Sequence, residues 1–165
     1  MKYVTRKMAN EVFLPQVVQL LREGHSVTLP LRGRSMRPFL EDGRDKALLE
    51  AVKEPPRVGD AVLAEVSPGR FVLHRIVKIE GENVTLRGDG NIGTESCRIG
   101  DIRALARAFF RKGRDKADST SGLKWRFYSW WWTRLLPVRR YLLFALHPHI
   151  PQRLISSITK QSKKS

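Results

Sequence analysis

Three kinds of side chain that together perform acyl transfer follow one another in the first hundred residues. Ser35 lies in the run GRSMRP (33–38), His74 lies in LHRIV (73–77), and the carboxylates Asp89 and Glu95 follow. A serine hydroxyl becomes a nucleophile when a base takes its proton, and a carboxylate beside that base orients it and stabilises its charged form. The set predicts a serine hydrolase with a histidine base.

The residues around Ser35 predict a turn that presents the hydroxyl. Gly33 lets the backbone approach a substrate closely, and Pro38 stiffens the exit from the turn. A serine in such a loop can offer its own N–H to an oxyanion, so we assign Gly33, Met36 and Pro38 to the substrate and oxyanion side of the site. The alternative is a serine that only caps a turn.

The histidine lies in a predicted strand. Alternation places Phe71, Leu73, Arg75, Val77 and Ile79 on one face, and Val72, His74, Ile76 and Lys78 on the other. His74 therefore has apolar neighbours, and the alternative to a general base is a buried structural histidine. Lys78 is the second candidate base on that face.

Two acids that follow His74 in the sequence could orient it, and Asp60 in VGDA (58–61) is a further candidate with the same ambiguity as Asp89. Asp89 lies in GDGN (88–91), a sequence that also suits a tight hairpin turn. Glu95 follows four residues after Asn91, in a predicted loop. Either carboxylate could hold the far nitrogen of His74, and the sequence leaves the choice between them open.

The elements that must position these residues are mostly short strands. Asn10–Glu23 predicts an amphipathic helix interrupted by Pro15, and Ser26–Leu31 predicts a strand that leads into the serine turn. Further predicted strands cover Ala47–Val52, Ala61–Val66, Arg70–Ile79, Asn83–Arg87 and Ile102–Phe110. Short strands at this spacing, separated by Gly and Pro, predict a mainly β fold that is antiparallel or mixed.

As an ordered set, these motifs resemble a known family. GxSMxP, Gly-Asp at 59–60, the HRIV strand and GDxN are similar to the S24/S26 superfamily of serine peptidases, which contains the signal peptidases and LexA-like proteins. The resemblance spans residues 33–102 and is to the histidine-type archaeal and endoplasmic-reticulum branch of the signal peptidases. It implies Ser35 as nucleophile and His74 as general base, in a signal-peptidase/LexA-like β-domain.

The resemblance also implies a substrate and an acid. The substrate would be a precursor or leader polypeptide, and no metal or cofactor would be needed. In that branch an Asp follows GDxN at the position that Glu95 occupies here, while Asp89 matches the first acid of the motif. The family's membrane-spanning helix before the serine has no counterpart in this sequence.

Charge divides the chain into a neutral front and a basic back. Residues 1–102 carry 16 Lys and Arg against 14 Asp and Glu, whereas residues 103–165 carry 15 against 2. We predict a peptidase-like domain over 1–110, a linker over 111–122 and a basic, aromatic, helical tail over 123–165. The single cysteine, Cys97, excludes an internal disulfide.

The tail predicts an anionic partner. Its candidate membrane-binding residues are Trp130, Trp131, Trp132, Arg139 and Arg140. Indole rings favour the bilayer interface and cations favour anionic head groups, so we expect a peripheral protein at the cytoplasmic face of the inner membrane. The alternatives are that several aromatics pack back on the β-domain, or that the tail binds nucleic acid. The alternative function is a non-enzymatic β-domain that serves as a binding module.

Overall fold

The computed structural model of the chain describes residues 10–114 and 116–135. The helices are α1 (Asn10–Arg22) and α2 (Leu123–Arg134), and one turn of 3-10 helix covers Ile99–Asp101. The strands are β1 (Val27–Pro30), β2 (Lys46–Glu50), β3 (Ala61–Ser67), β4 (Arg70–Glu80), β5 (Asn83–Arg87), β6 (Glu95–Arg98), β7 (Ile102–Phe110) and β8 (Asp118–Ser119). The predicted helix and the predicted strands all form, with ends displaced by no more than two residues.

The strands form one antiparallel sheet. Their order is β1-β2-β7-β3-β4-β5-β6, and β8 pairs with β7. The prediction of a mainly β protein with an N-terminal helix is therefore confirmed. The sequence reasoning missed β6 and β8, because both are short and polar and neither shows the apolar alternation that marks a half-buried strand.

Alternate residues of the central strands supply two apolar clusters, one on each face of the sheet. The first cluster contains Leu63 and is covered by Val17 of α1 and Trp125 of α2. The second contains Val62 and Ile76. Each face of the sheet is therefore buried by its own cluster, and neighbouring residues of β4 point into different surroundings.

The alternation in β4 is interrupted by an irregularity between Ile76 and Lys78. The sequence predicts that Ile79 shares a face with Arg75, but Ile79 packs against the second cluster together with Ile76. An extra residue at a bulge reverses the alternation beyond it. Lys78 therefore lies on the face opposite His74, and its ammonium group pairs with Glu80 at 2.8 Å.

Residues 111–122, predicted as a linker, contain β8. The Asp118 carboxylate forms ion pairs with Arg111 at 2.6 Å and with Lys124 of α2 at 2.8 Å. These contacts fasten the start of α2 beside the sheet, and the buried ring of Trp125 completes the first cluster. Neither helix within the described part of the chain is long and apolar enough to cross a bilayer.

Candidate active site

His74 is buried in the middle of β4. It pairs with Val62 of β3, so both side chains lie on the face of the second cluster, and only 4% of His74 is exposed. Extending the β4–β5 register by one pair beyond Arg75 and Arg87 places Gly88 opposite His74.

The Ser35 loop lies against this glycine. A Cβ atom added to Gly88 would stand 2.4 Å from the carbonyl oxygen of Ser35 and 2.9 Å from its Cβ. The Gly90 N–H donates to the same carbonyl at 2.7 Å. The turn after β5 therefore holds Ser35 against Gly88, the residue that the extended register places opposite His74.

The rest of the serine turn is held from several sides. Gly33 has a φ of 85°, which favours glycine, and its N–H donates to Asp42 Oδ1 at 3.0 Å. Met36 is buried in the first cluster, whereas Pro38 is exposed and follows a cis peptide bond. The Gly33 N–H is thus donated to a carboxylate, and the place of Gly33 on the substrate and oxyanion side of the site stays a prediction.

Glu95 contacts the histidine. Its Oε2 lies 2.9 Å from His74 Nδ1, although the ring N–H is not aligned along this line as in a directed hydrogen bond. Glu95 reaches this position because β6 places it opposite Leu86, which in turn faces Ile76 on β4. Arg70 donates to Oε1 of Glu95 and so restricts rotation of the Glu95 carboxylate. Of the two candidate acids, Glu95 is the one in contact with His74.

Asp89 has a different set of partners. Its two carboxylate oxygens accept from Arg75 Nε at 2.9 Å and from Arg75 Nη2 at 2.7 Å. Both side chains are at most 2% exposed. The Arg75 guanidinium also donates to the carbonyl of Gly59 at 2.9 Å and to the hydroxyl of Ser129. Asp89 is thus the counter-ion of a buried arginine on the face of the sheet that α2 covers.

The surroundings of His74 favour its neutral form. Burial lowers the pKa of His74 below its ordinary value, and the charges of Glu95 and Asp89 oppose this by raising it. Burial is the larger of these effects. A neutral imidazole with one nitrogen against a carboxylate has its other nitrogen, Nε2, available to accept a proton.

Two side chains of α2 hold the turn that carries Asp89. The Tyr128 hydroxyl donates to Asp89 Oδ2 at 3.2 Å, and the Trp132 indole N–H donates to the Asp89 carbonyl at 3.0 Å. Sequence reasoning missed these roles; the only signal was the spacing of Trp125, Tyr128 and Trp132 by three and four residues, which places them on one helix face.

The predicted membrane-binding residues are separated by the structure. Trp132 is buried on the inner face of α2, so its predicted contact with lipid is wrong in this arrangement. Trp130 and Trp131 are exposed on the outer face. Arg139 and Arg140 lie outside the described residues.

Among residues 10–114 and 116–135, no group of three or more His, Cys, Asp or Glu side chains is arranged to hold a metal ion. In comparisons with known proteins, no family model matches the sequence and no curated protein matches it. The functional assignment therefore depends on the geometry of the site and on the motifs.

Proposed function

We propose that this protein is a serine endopeptidase that cleaves a precursor or leader polypeptide, like the histidine-type signal peptidases that its motifs resemble. Ser35 is the nucleophile, His74 is the general base, and Glu95 orients the base. The observation that supports this assignment best is the buried His74–Glu95 contact of 2.9 Å. It lies beside the glycine against which Ser35 packs.

The proposed reaction is acyl transfer in two steps. Ser35 Oγ attacks the scissile carbonyl carbon while its proton passes to His74 Nε2, and the carboxylate of Glu95 stabilises the imidazolium. His74 then gives this proton to the leaving amine as the carbon–nitrogen bond breaks. Water, deprotonated by the same base, hydrolyses the acyl-enzyme. The N–H groups of Ser35 and Met36 are the candidate donors to the oxyanion, since the N–H of Gly33 is donated to Asp42.

The sheet offers an edge for an extended substrate. β6 is the last strand in the sheet order, and it begins with Glu95, the residue that contacts His74. An extended peptide can add to such an edge by backbone hydrogen bonds, and pockets for alternate side chains then select the sequence. The resemblance implies small side chains next to the cut.

The test is cleavage of a diverse peptide library, followed by mass spectrometry, with wild-type protein and three variants. We expect Ser35→Ala and His74→Gln to abolish cleavage. The matched control is Ser67→Ala, an exposed serine at the end of β3, which should cleave the same peptides at the same sites.

Each outcome separates the enzyme from the binding module. Cleavage that disappears with Ser35→Ala and persists with Ser67→Ala supports the peptidase. Cleavage that persists in Ser35→Ala identifies another nucleophile or a contaminant and contradicts the assignment. The third outcome is that neither the wild-type protein nor any variant cleaves a peptide. If the wild-type protein and Ser35→Ala then retain peptides equally on a column, the domain is a binding module.

A further inference from the structure

The helix α2 is apolar on the side that faces away from the sheet. Leu123 is 81% exposed, Phe127 65%, Trp130 50% and Trp131 46%. At 3.6 residues per turn these positions form one stripe, opposite the stripe that contains the buried Trp125 and Trp132. A surface helix of a globular protein normally turns charged and polar residues to this side.

The exposed rings form a continuous patch. The Trp131 ring lies 6.3 Å from the Phe127 ring and 5.7 Å from the Trp130 ring. The guanidinium of Arg134 lies 4.6 Å from the centre of the Trp130 ring. We call the exposed stripe of Leu123, Phe127, Trp130 and Trp131 the outer patch. An exposed apolar patch edged by cations is typical of an interaction surface.

The segment of chain that carries the outer patch is cationic. Residues 123–135 contain Lys124, Arg126 and Arg134 and no Asp or Glu, and residues 136–165 add six Lys or Arg, again with no acid. Lys124 is paired with Asp118, whereas Arg126 flanks the patch and Arg134 lies over Trp130. This distribution is complementary to an anionic surface.

We propose that the outer patch of α2 docks this protein on an anionic lipid bilayer. Tryptophan and phenylalanine rings enter the region between the head groups and the acyl chains, while arginines at the same level contact the head groups. The inner side of α2 keeps its contacts with Asp89 and the sheet, so docking needs no unfolding of the helix. The proposal does not depend on the peptidase assignment.

The chemistry of the patch favours lipid over nucleic acid. Phe127 and Trp131 contact each other, and Leu123 adds aliphatic surface that offers no face for stacking of bases. Proteins that bind single-stranded nucleic acid combine a positively charged groove with aromatic faces on which successive bases stack. A fused apolar patch with cations at its border has the composition of an interfacial helix.

The experiment measures binding of the full chain to vesicles of phosphatidylglycerol and phosphatidylcholine, with pure phosphatidylcholine vesicles for comparison. The test variant is Phe127→Ser/Trp131→Ser. The matched control is Ile92→Ser, which removes a side chain that is 63% exposed elsewhere on the molecule. Tryptophan quenching by brominated lipids is recorded for wild-type protein, so that the result does not depend on the variants alone.

We expect wild-type protein and Ile92→Ser to bind the anionic vesicles equally, and the test variant to bind at least about tenfold more weakly, a loss of about 1.4 kcal/mol. Bromine close to the head groups should quench wild-type fluorescence. Equal binding by the test variant, or no quenching, would overturn the proposal. The proposal would also be overturned if the protein bound a single-stranded oligonucleotide more tightly than the vesicles and the same double substitution abolished that binding. A third contrary result would be vesicle binding that increases when residues 136–165 are removed, because those residues would then already cover the patch.

Discussion

Substitution of Asp89 should lower stability, whereas substitution of Glu95 should lower the rate of cleavage, because the two carboxylates have different partners. In Asp89→Asn the side chain keeps its size and its backbone keeps the bond from Trp132. The Arg75 guanidinium, however, loses the one carboxylate that it contacts among residues 10–114 and 116–135. Arg75 is 1% exposed, so water cannot replace the missing charge. The substitution therefore isolates the role of the charge.

The expected magnitude follows from that burial. Removing one partner of a buried ion pair costs about 3–5 kcal/mol, because the other charge stays buried without compensation. For a chain of this length, each kcal/mol shifts Tm by about 2–4 °C, so Tm should fall by about 6–20 °C. The control is Glu80→Gln in the exposed pair with Lys78, where we expect a change within about 0.5 kcal/mol.

Thermal and urea unfolding of Asp89→Asn, Arg75→Met and the double variant provide the assay. If the two residues act as a pair, the double variant should lose less stability than the sum of the single changes. A fall in Tm of under about 2 °C for Asp89→Asn would refute the assignment of Asp89 as the counter-ion of Arg75. Loss of cleavage with unchanged stability would instead place Asp89 in the chemistry.

Three further predictions concern the proposed peptidase. Glu95→Gln should lower kcat by about 10²–10⁴-fold with little change in Tm. A variant with the kcat of the wild-type protein and a lowered Tm would contradict the orienting role. The acidic limb of the pH–rate profile should lie below about pH 6.5, because burial lowers the pKa of His74 and only the neutral ring accepts a proton. In Glu95→Gln this limb should move to still lower pH, because the charge that raises the pKa is gone; a move to higher pH would contradict the reasoning. Gly88→Ala should displace the Ser35 carbonyl, lower kcat by about 10²-fold and cost about 1–3 kcal/mol, whereas Gly93→Ala, which has open space around it, should leave the rate unchanged.

The proposed active-site residues differ in how far local sequence could identify them. Ser35 and His74 were identified from residue type and from the turn and strand around them, which depend on neighbours within a few positions. The acid could not be chosen in this way, because Asp89 and Glu95 both follow the same strand. The choice depended on the pairing of β5 with the unpredicted strand β6, which carries Glu95 towards His74.

The tail was likewise identified in part from the sequence and in part only from the tertiary structure. Composition alone identified a basic, aromatic segment, and it also allowed that some of its rings pack on the β-domain. It did not identify which tryptophans do so, because that depends on which side of α2 meets the first cluster. Only the tertiary structure places Trp132 on Asp89 and leaves Trp131 outside.

The sequence by itself determined the mainly β class and the extent of most strands, since periodicity and turn residues act locally, and it supplied the hypothesis of Ser35 as nucleophile and His74 as base. The tertiary structure decided which of the two acids contacts His74, the counter-ion role of Asp89 and the two sides of α2. These features depend on contacts between residues that are far apart in the chain. Such contacts exist only after strand register and helix packing have been established.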